Sequence, residues 1–420
     1  MVPLSRQGLV VIGGTCVLFG LYGWAIFLTT FGHDGAIGPR YNAPGADWIV
    51  FYSAAQAWLG GDVSLIFDGQ LFTDYQNAAF AGWLSGPMPF APWLYPPHFL
   101  LLILPFGLLP FAWSYAVFMA ATFAALLAAV RGHFAPGERR LQVISLLLCP
   151  ATSITLVTGQ NAFLSGALLF GGFSALDRYP VVAGAMLGAL SFKPSLALMV
   201  PVALIAARQW RALAAAGAMA LVLALASLAI LGIEPWREWL LMMVSPSADY
   251  RHWLDAGRSW GLSLYTCATL LGASAGAANL VQTAATASAA AVVFWAFRQP
   301  LPADRRLVLL LAAAIFAAPH VSTYDTILLA LAAGLLFRRV LVAPLPMPLA
   351  AVILAAWLLP LINPPRATPL GLATPLVVAL VMVAAIAGAR AKAPLIPSPL
   401  VGEGGPAAKR REGEGQGSLA

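Results

Sequence analysis

The sequence predicts an all-α polytopic membrane protein, and three observations support this fold class. Hydrophobic residues make up 60% of the 420-residue chain, whereas charged residues make up only 9%. Soluble domains carry about a quarter charged residues, so this composition excludes a soluble globular protein. Apolar stretches recur from about residue 8 to residue 389, and no polar segment between them is long enough to form a soluble domain. Short basic clusters separate these stretches, as is typical of a protein that crosses the membrane repeatedly.

The positions of arginine and lysine predict the orientation of the chain. Short cytoplasmic loops are enriched in these residues, and about twelve crossings place most of them on one side, with both termini cytoplasmic. The basic positions are Arg6, Arg131/Arg139/Arg140, Arg178, Arg208/Arg211, Arg298/Arg305/Arg306, Arg338/Arg339 and Arg390/Lys392. We therefore expect a membrane domain at residues 1–392. The Pro- and Gly-rich tail at 393–420 lacks apolar periodicity and is predicted to be a disordered cytoplasmic tail.

Two segments do not fit this count as simple spans. Tyr95 to Pro110 is short for a membrane crossing, and Leu262 to Ala278 poses the same problem before a clearer span. Re-entrant or broken helices explain such segments, because irregular backbone at membrane depth is tolerated only inside protein or beside a cavity. The two segments therefore hint at a site nearby.

The first external loop, predicted at Phe31 to Pro97, is long and acidic. It holds five aspartates: Asp34, Asp47, Asp62, Asp68 and Asp74. Asp47 precedes a run of aromatic residues, and a helix that begins there has this carboxylate at its N-terminus. Position alone favours an ordinary helix N-cap at the membrane surface. A functional interpretation depends on other polar residues on the same side.

Such residues occur at two further external turns. Lys193 is a cation beside Pro194, on the side away from the basic loops, where it either snorkels to the interface or binds a phosphate. His320 lies at another turn and is followed by Tyr324 and Asp325. Ionisable residues at membrane depth are costly, so they indicate either a functional site or a structural hydrogen-bonded pair.

Other external segments have polar residues of less specific meaning. Gln160 and Asn161 form a turn suited to binding sugar hydroxyls or to capping helices, and Tyr95 is either a site residue or an interfacial anchor. The loop at 233–261 is rich in tryptophan, which is typical of an aromatic belt. Its Arg251 and Arg258 alternate with aromatic residues and are candidates for binding a lipid phosphate or a sugar.

The sequence argues against a metal site, a bound cofactor and nucleic-acid binding. The sequence has no HExxH, CxxC, Walker or GxSxG motif, so we expect no metal or bound cofactor. The three cysteines show no paired spacing. The net charge of +7 is spread over short inter-segment clusters rather than over one face, which argues against nucleic acid as a partner.

Five short motifs together resemble glycosyltransferase family 87. They are the aspartate-aromatic segment Asp47 to Leu59 followed by Gly60-Gly61, the YPP motif Tyr95 to Pro97, the GQN turn Gly159 to Asn161, the KP turn Lys193-Pro194, and the late segment Pro319 to Asp325. The resemblance covers roughly residues 10 to 390, and the order and predicted side of the motifs support it more than any single motif does.

The resemblance implies a GT-C-type helical bundle that transfers a hexose from a polyprenyl-phosphate donor to a lipid or glycan acceptor. The lipid bilayer of the bacterial inner membrane, at its external face, is the implied location. By the same resemblance, Asp47 is the catalytic base and His320 is a site residue. We expect Lys193, helped by His320 or an arginine of the Trp-rich loop, to offset the phosphate charge without a metal.

Two alternatives remain at this stage. A transporter or flippase for a cell-envelope glycolipid also holds buried charges between broken helices, although the single long acidic loop is not the paired pattern of inverted repeats. An inactive scaffold in an envelope-assembly complex is the other alternative, and it predicts that Asp47 and Lys193 are dispensable.

Overall fold

A computed structural model describes residues 6–31, 45–84, 86–245, 250, 261–338, 346–362 and 373–390. The secondary structure of these residues is helical, with no β-strand, as the apolar sequence predicts. The predicted tail at 393–420 and its boundary lie outside them.

The described residues form nineteen α-helices and three short 3-10 helices. The first nine helices are α1 (Arg6–Phe31), α2 (Ala46–Leu59), α3 (Gly69–Ala79), α4 (His98–Gly107), α5 (Phe111–His133), α6 (Pro136–Leu148), α7 (Pro150–Thr158), α8 (Ala162–Ala175) and α9 (Pro180–Ala189). The others are α10 (Pro194–Ala197), α11 (Met199–Ala206), α12 (Trp210–Leu231), α13 (Glu234–Val244), α14 (Leu264–Leu270), α15 (Ala275–Arg298), α16 (Ala303–Ala317), α17 (Ile327–Phe337), α18 (Met347–Ile362) and α19 (Ala373–Arg390). The 3-10 helices are Ser64–Phe67, Leu190–Phe192 and Thr323–Thr326.

Three helices within the described ranges are each long and apolar enough to cross a membrane, namely α5, α12 and α15. Helices α6 and α7 make a fourth if they count as one span, although they bend by 52° at Pro150. Seven shorter apolar segments accompany them: His98–Gly107, Ala162–Ala175, Pro180–Phe192, Pro194–Ala206, Thr323–Phe337, Met347–Leu361 and Ala373–Ala387. The chain is thus a helical membrane protein, and the count of about twelve crossings stays a prediction.

Helix α4 is the short segment that the sequence leaves ambiguous, and it packs against α2. It begins at His98 and ends at Gly107, whose carbonyl accepts a 2.5 Å hydrogen bond from Gln56 Nε2 of α2. Tyr52, also on α2, contacts Phe111 at the start of α5. Helix α4 therefore packs along α2, and α5 begins beside the same helix.

The opposite end of α5 joins a charged cluster formed by four helix ends. His133 Nε2 lies 3.0 Å from Asp304 Oδ1, at the start of α16. Arg338, after α17, is 2.9 Å from Asp304 Oδ2 and 2.8 Å from Glu138 Oε1 of α6. This is the side that the basic residues predict to be cytoplasmic. The ion pairs of the cluster compensate these charges where the four helix ends meet.

Helices α9 and α12 pack closely because glycines let their backbones approach. A Cβ atom on Gly184 would lie 2.2 Å from the carbonyl oxygen of Ala212, and one on Gly188 would lie 2.2 Å from that of Ala216. Small residues four positions apart are a common device for helix association in membranes. This contact orients α9, which leads directly to Lys193.

Substitution of Gly188 by alanine is expected to destabilise the protein by about 1–3 kcal/mol, because the new methyl group overlaps a backbone carbonyl that has little room to move. Thermal unfolding in detergent, followed by tryptophan fluorescence, measures the effect. Gly217→Ala is the matched control, since Gly217 lies in α12 with open space around it. An equal unfolding temperature for the two variants would contradict the role assigned to the α9–α12 contact.

Candidate active site

Two glycines place Asp47 beside the turn at Gln160. Gly45 precedes α2 and Gly159 ends α7, and both are left-handed, with φ of 72° and 74°. A Cβ atom on Gly159 would lie 2.6 Å from Trp48 Cβ and 3.1 Å from Gly45 Cα. The Gly45 amide also donates a 2.7 Å hydrogen bond to the Val157 carbonyl. Helix α2 therefore starts directly on the end of α7, a contact that only glycine permits.

Asp47 does not cap the helix that carries it. The N-cap residue of α2 is Gly45, and no side chain accepts a capping hydrogen bond there. Asp47 lies in the first turn and is partly buried, while the adjacent Trp48 is fully buried. Trp48 stacks on Phe118 with ring centroids 4.4 Å apart and donates a 3.2 Å hydrogen bond to Ser114 Oγ. The structure therefore does not support the simple N-cap interpretation of this aspartate.

The turn after α7 forms a hydrogen-bond network around Asp47. The Tyr95 hydroxyl donates a hydrogen bond to Gln160 Oε1 at 3.3 Å, and the backbone amide of Asn161 donates to the same oxygen at 3.2 Å. The Gln160 side chain also hydrogen-bonds the Asp47 carboxylate. Gln160 thus connects the aspartate to the YPP segment and to Asn161.

Lys193 and Asp325 form an ion pair beside this network. Lys193 Nζ lies 2.5 Å from Asp325 Oδ1, and their side chains are only 9% and 2% exposed. The ammonium also donates to Asn161 Oδ1 at 3.3 Å and lies 5.0 Å from the centre of the Tyr324 ring. The other carboxylate oxygen of Asp325 accepts a 3.2 Å hydrogen bond from the Ser322 amide. The cation predicted to snorkel to the interface or to bind a phosphate is therefore already balanced by a carboxylate.

The surroundings of Asp47 favour a carboxylate that gains a proton near neutral pH. Burial raises the pKa of Asp47 to about 6, with a smaller upward contribution from the negative charge of Asp325. The hydrogen bond from Gln160 and the charge of Lys193 act in the opposite direction. Burial also raises the pKa of Tyr95 well above its usual value, so Tyr95 remains a neutral hydroxyl donor. A base with a pKa near the working pH is the kind that general-base catalysis requires.

Aromatic side chains enclose the network on the side of α4. Phe51 contacts Tyr95 with ring centroids 5.2 Å apart, and Tyr95 contacts Phe99 at 4.6 Å. Phe99 stacks on Phe192 at 4.8 Å, directly before Lys193. These rings reduce water access, which strengthens the electrostatic interactions among the enclosed polar groups.

The structure brings together seven of the ten predicted site residues: Asp47, Tyr95, Gln160, Asn161, Lys193, Tyr324 and Asp325. His320 is exposed on the turn before Tyr324, and it makes no hydrogen bond or ion pair with these seven described residues. Arg251 and Arg258 lie outside the described residues. In the described part of the chain, no group of three or more His, Cys, Asp or Glu residues is arranged to hold a metal ion.

Two polar residues next to this network were not singled out from the sequence. His98 directly follows the YPP motif, and Ser191 precedes Lys193 by two positions; their side chains lie 3.1 Å apart. The only sequence signal for either was adjacency to a motif, which is too weak to select a single residue.

The sequence profile of glycosyltransferase family 87 matches residues 93–323, more than half of the chain. This range includes the YPP, GQN and KP motifs but neither Asp47 nor the Tyr324-Asp325 pair. No curated protein and no solved structure matches the chain.

Lys193→Met is expected to destabilise the protein by about 3–5 kcal/mol, because it leaves the Asp325 carboxylate buried without its counter-charge. The double variant Lys193→Met/Asp325→Leu should recover most of that loss, since it replaces a buried pair by apolar side chains. Thermal unfolding in detergent is the measurement.

The exposed ion pair of Arg237 and Glu234, at 3.2 Å, provides the control. Arg237→Met should change the unfolding temperature little, because solvent screens exposed pairs. A double variant no more stable than Lys193→Met would show that the buried pair is not the source of the effect.

Proposed function

The chain belongs to glycosyltransferase family 87, and from this premise we propose that it transfers a hexose from a polyprenyl-phosphate donor to a glycolipid or glycan acceptor. We place the reaction at the external face of the bacterial inner membrane, with both termini cytoplasmic. The family match supports the general activity, a membrane glycosyltransferase. The donor, the acceptor and the orientation are our proposals.

The observation that carries the proposal is the position of Asp47. A partly buried carboxylate lies in the first turn of a helix that starts against the GQN turn. It hydrogen-bonds Gln160, and burial raises its pKa to about 6. The acceptor hydroxyl must lose a proton as it attacks the anomeric carbon, and we assign Asp47 as the base that takes it.

Tyr95, Gln160 and Asn161 suit the binding and orientation of a sugar. Their hydroxyl and amide groups lie around the carboxylate, and the Tyr95 hydroxyl already donates to Gln160 Oε1. Hydroxyl and amide groups of this kind fix a sugar ring by a small number of directed hydrogen bonds. We propose that they orient the acceptor hydroxyl toward Asp47.

The charge balance of the network changes the role that we assign to Lys193. With Asp47 ionised, two carboxylates, Asp47 and Asp325, face one ammonium, Lys193. A donor phosphate would add more negative charge to this group. We therefore assign the phosphate charge chiefly to Arg251 and Arg258. Desolvation by the surrounding protein lowers the pKa of His320, so we assign it a hydrogen bond to the phosphate as a neutral imidazole. We propose that Lys193 supports the site through its ion pair with Asp325.

The presence of one available base supports our proposal that the transfer inverts the anomeric centre. If the acceptor attacks the sugar from the face opposite to the leaving phosphate in a single step, the anomeric centre inverts. One carboxylate suffices for this reaction, and Asp325 is engaged with Lys193. We therefore propose an inverting, metal-independent transfer, with no cofactor beyond the lipid-linked donor.

A transporter or flippase is the alternative, because intramembrane charges next to broken helices also occur in transporters. The buried Lys193–Asp325 pair is compatible with it. This alternative predicts that the protein moves the lipid-linked sugar across the bilayer and transfers none.

Asp47→Asn is expected to lower the transfer rate by about two or more orders of magnitude, since an amide cannot accept the acceptor's proton. Transfer of labelled sugar is measured in membranes supplied with polyprenyl-phosphate mannose, glucose or arabinose.

Asp74→Asn is the matched control, because Asp74 is an exposed aspartate of the same loop that contacts Gln70. It should leave transfer unchanged. Full transfer by Asp47→Asn would remove Asp47 from the mechanism, and no transfer by the wild type from any donor would favour the transporter.

A further inference from the structure

The turn that carries Lys193 is held by two consecutive contacts to the start of α4. Ser191 Oγ lies 3.1 Å from His98 Nε2. The next residue, Phe192, stacks on Phe99, the residue after His98, with ring centroids 4.8 Å apart and planes at 19°. Two neighbouring residues of one segment thus contact two neighbouring residues of the other, immediately before Lys193.

The two contacts constrain the turn differently. Stacked rings tolerate sliding, because dispersion attraction has little directionality. A hydrogen bond has a narrow range of distance and angle, so the Ser191–His98 bond limits rotation and translation of the turn. Lys193 ends the 3-10 helix Leu190–Phe192, and its amide donates to the Leu190 carbonyl at 2.9 Å. Movement of the turn therefore moves the ammonium away from Asp325.

The imidazole of His98 is itself fixed by few partners. Its side chain is 94% buried, with 6% exposed, and its ring stacks on Trp236 of α13 at 5.8 Å and 19°. The buried Nδ1 atom has no hydrogen-bond partner among the described residues. Trp236 in turn donates a 3.0 Å hydrogen bond to Ser227 Oγ. The ring orientation therefore depends on Ser191 on one side and on Trp236 on the other.

We propose that His98 is a positioning residue, which holds the Lys193 turn through Ser191 and thereby keeps the Lys193 ammonium on Asp325 and Asn161. The effect on catalysis rests on the proposed function, while the effect on Lys193 does not. A histidine that merely fills space next to Trp236 would tolerate any ring of similar size. A positioning histidine requires the hydrogen bond at Nε2.

Three substitutions separate these roles. Ser191→Ala removes the hydrogen bond from one side, and His98→Phe removes it from the other while it keeps a ring against Trp236. His98→Gln retains a polar atom near the position of Nε2 but loses the ring. Ser288→Ala is the control, because Ser288 is exposed and bonds only within α15.

The first readout is the reactivity of Lys193 toward an amine-acylating reagent, quantified by mass spectrometry of the detergent-purified full chain. The lysines of the chain are Lys193, Lys392 and Lys409, so the latter two serve as internal references. Ser191→Ala and His98→Phe should raise acylation of Lys193 about ten-fold, the change that corresponds to loss of one hydrogen bond. His98→Gln and Ser288→Ala should react as the wild type does.

The second readout is sugar transfer by the same variants. Ser191→Ala and His98→Phe should each lower kcat by about 10- to 100-fold, as expected for a misplaced site group, and the double variant should lose no more than either alone. Unchanged Lys193 acylation in both single variants would overturn the inference, as would a His98→Gln variant that behaves like His98→Phe. Absence of transfer in the wild type would instead overturn the proposed function, while the acylation result would still decide the role of His98.

Discussion

The buried ion pair between Lys193 and Asp325 is the interaction on which the candidate site depends. Either charge alone would be costly to bury, so the turn after α9 and the 3-10 helix before α17 are stable only when they meet. Asn161 joins them through its hydrogen bond to the ammonium, which brings in the turn between α7 and α8. The left-handed Gly159 then lets α2 start against that turn, and Asp47 follows as the last member.

Two clusters of charged side chains in the described part of the chain serve different purposes. On one side, Asp304, His133, Arg338 and Glu138 join four helix ends in pairs that solvent partly reaches. In the candidate site, Lys193 and Asp325 are almost fully enclosed, and aromatic rings pack beside them. The proposed donor carries its phosphate at the membrane surface, so the proposed base, Asp47, must take the proton of the acceptor hydroxyl there.

The sequence allowed the helical class, the membrane location and the motifs to be predicted, because hydropathy and turn residues are local signals. It also grouped seven residues that the structure brings together. It did not reveal that Lys193 is paired with Asp325, since a contact across 132 residues leaves no local trace. Nor did it distinguish an N-cap from a partly buried, non-capping carboxylate at Asp47, because the difference depends on Gly45 and on the packing of Trp48. Short, bent and broken helices likewise obscured the number of crossings.

The dependence of kcat/KM on pH tests the central claim most directly. The claim is that Asp47 must be ionised to act, and the pKa of this carboxyl is raised by burial to about 6. The proton-bound form predominates below that value, so kcat/KM should be level above it and fall about ten-fold per pH unit below it. The phosphodiester of the donor does not titrate in this range and should not contribute. An acid limb with a midpoint near that of an exposed aspartate, at about pH 4, would contradict the account, as would activity that is independent of pH down to pH 5.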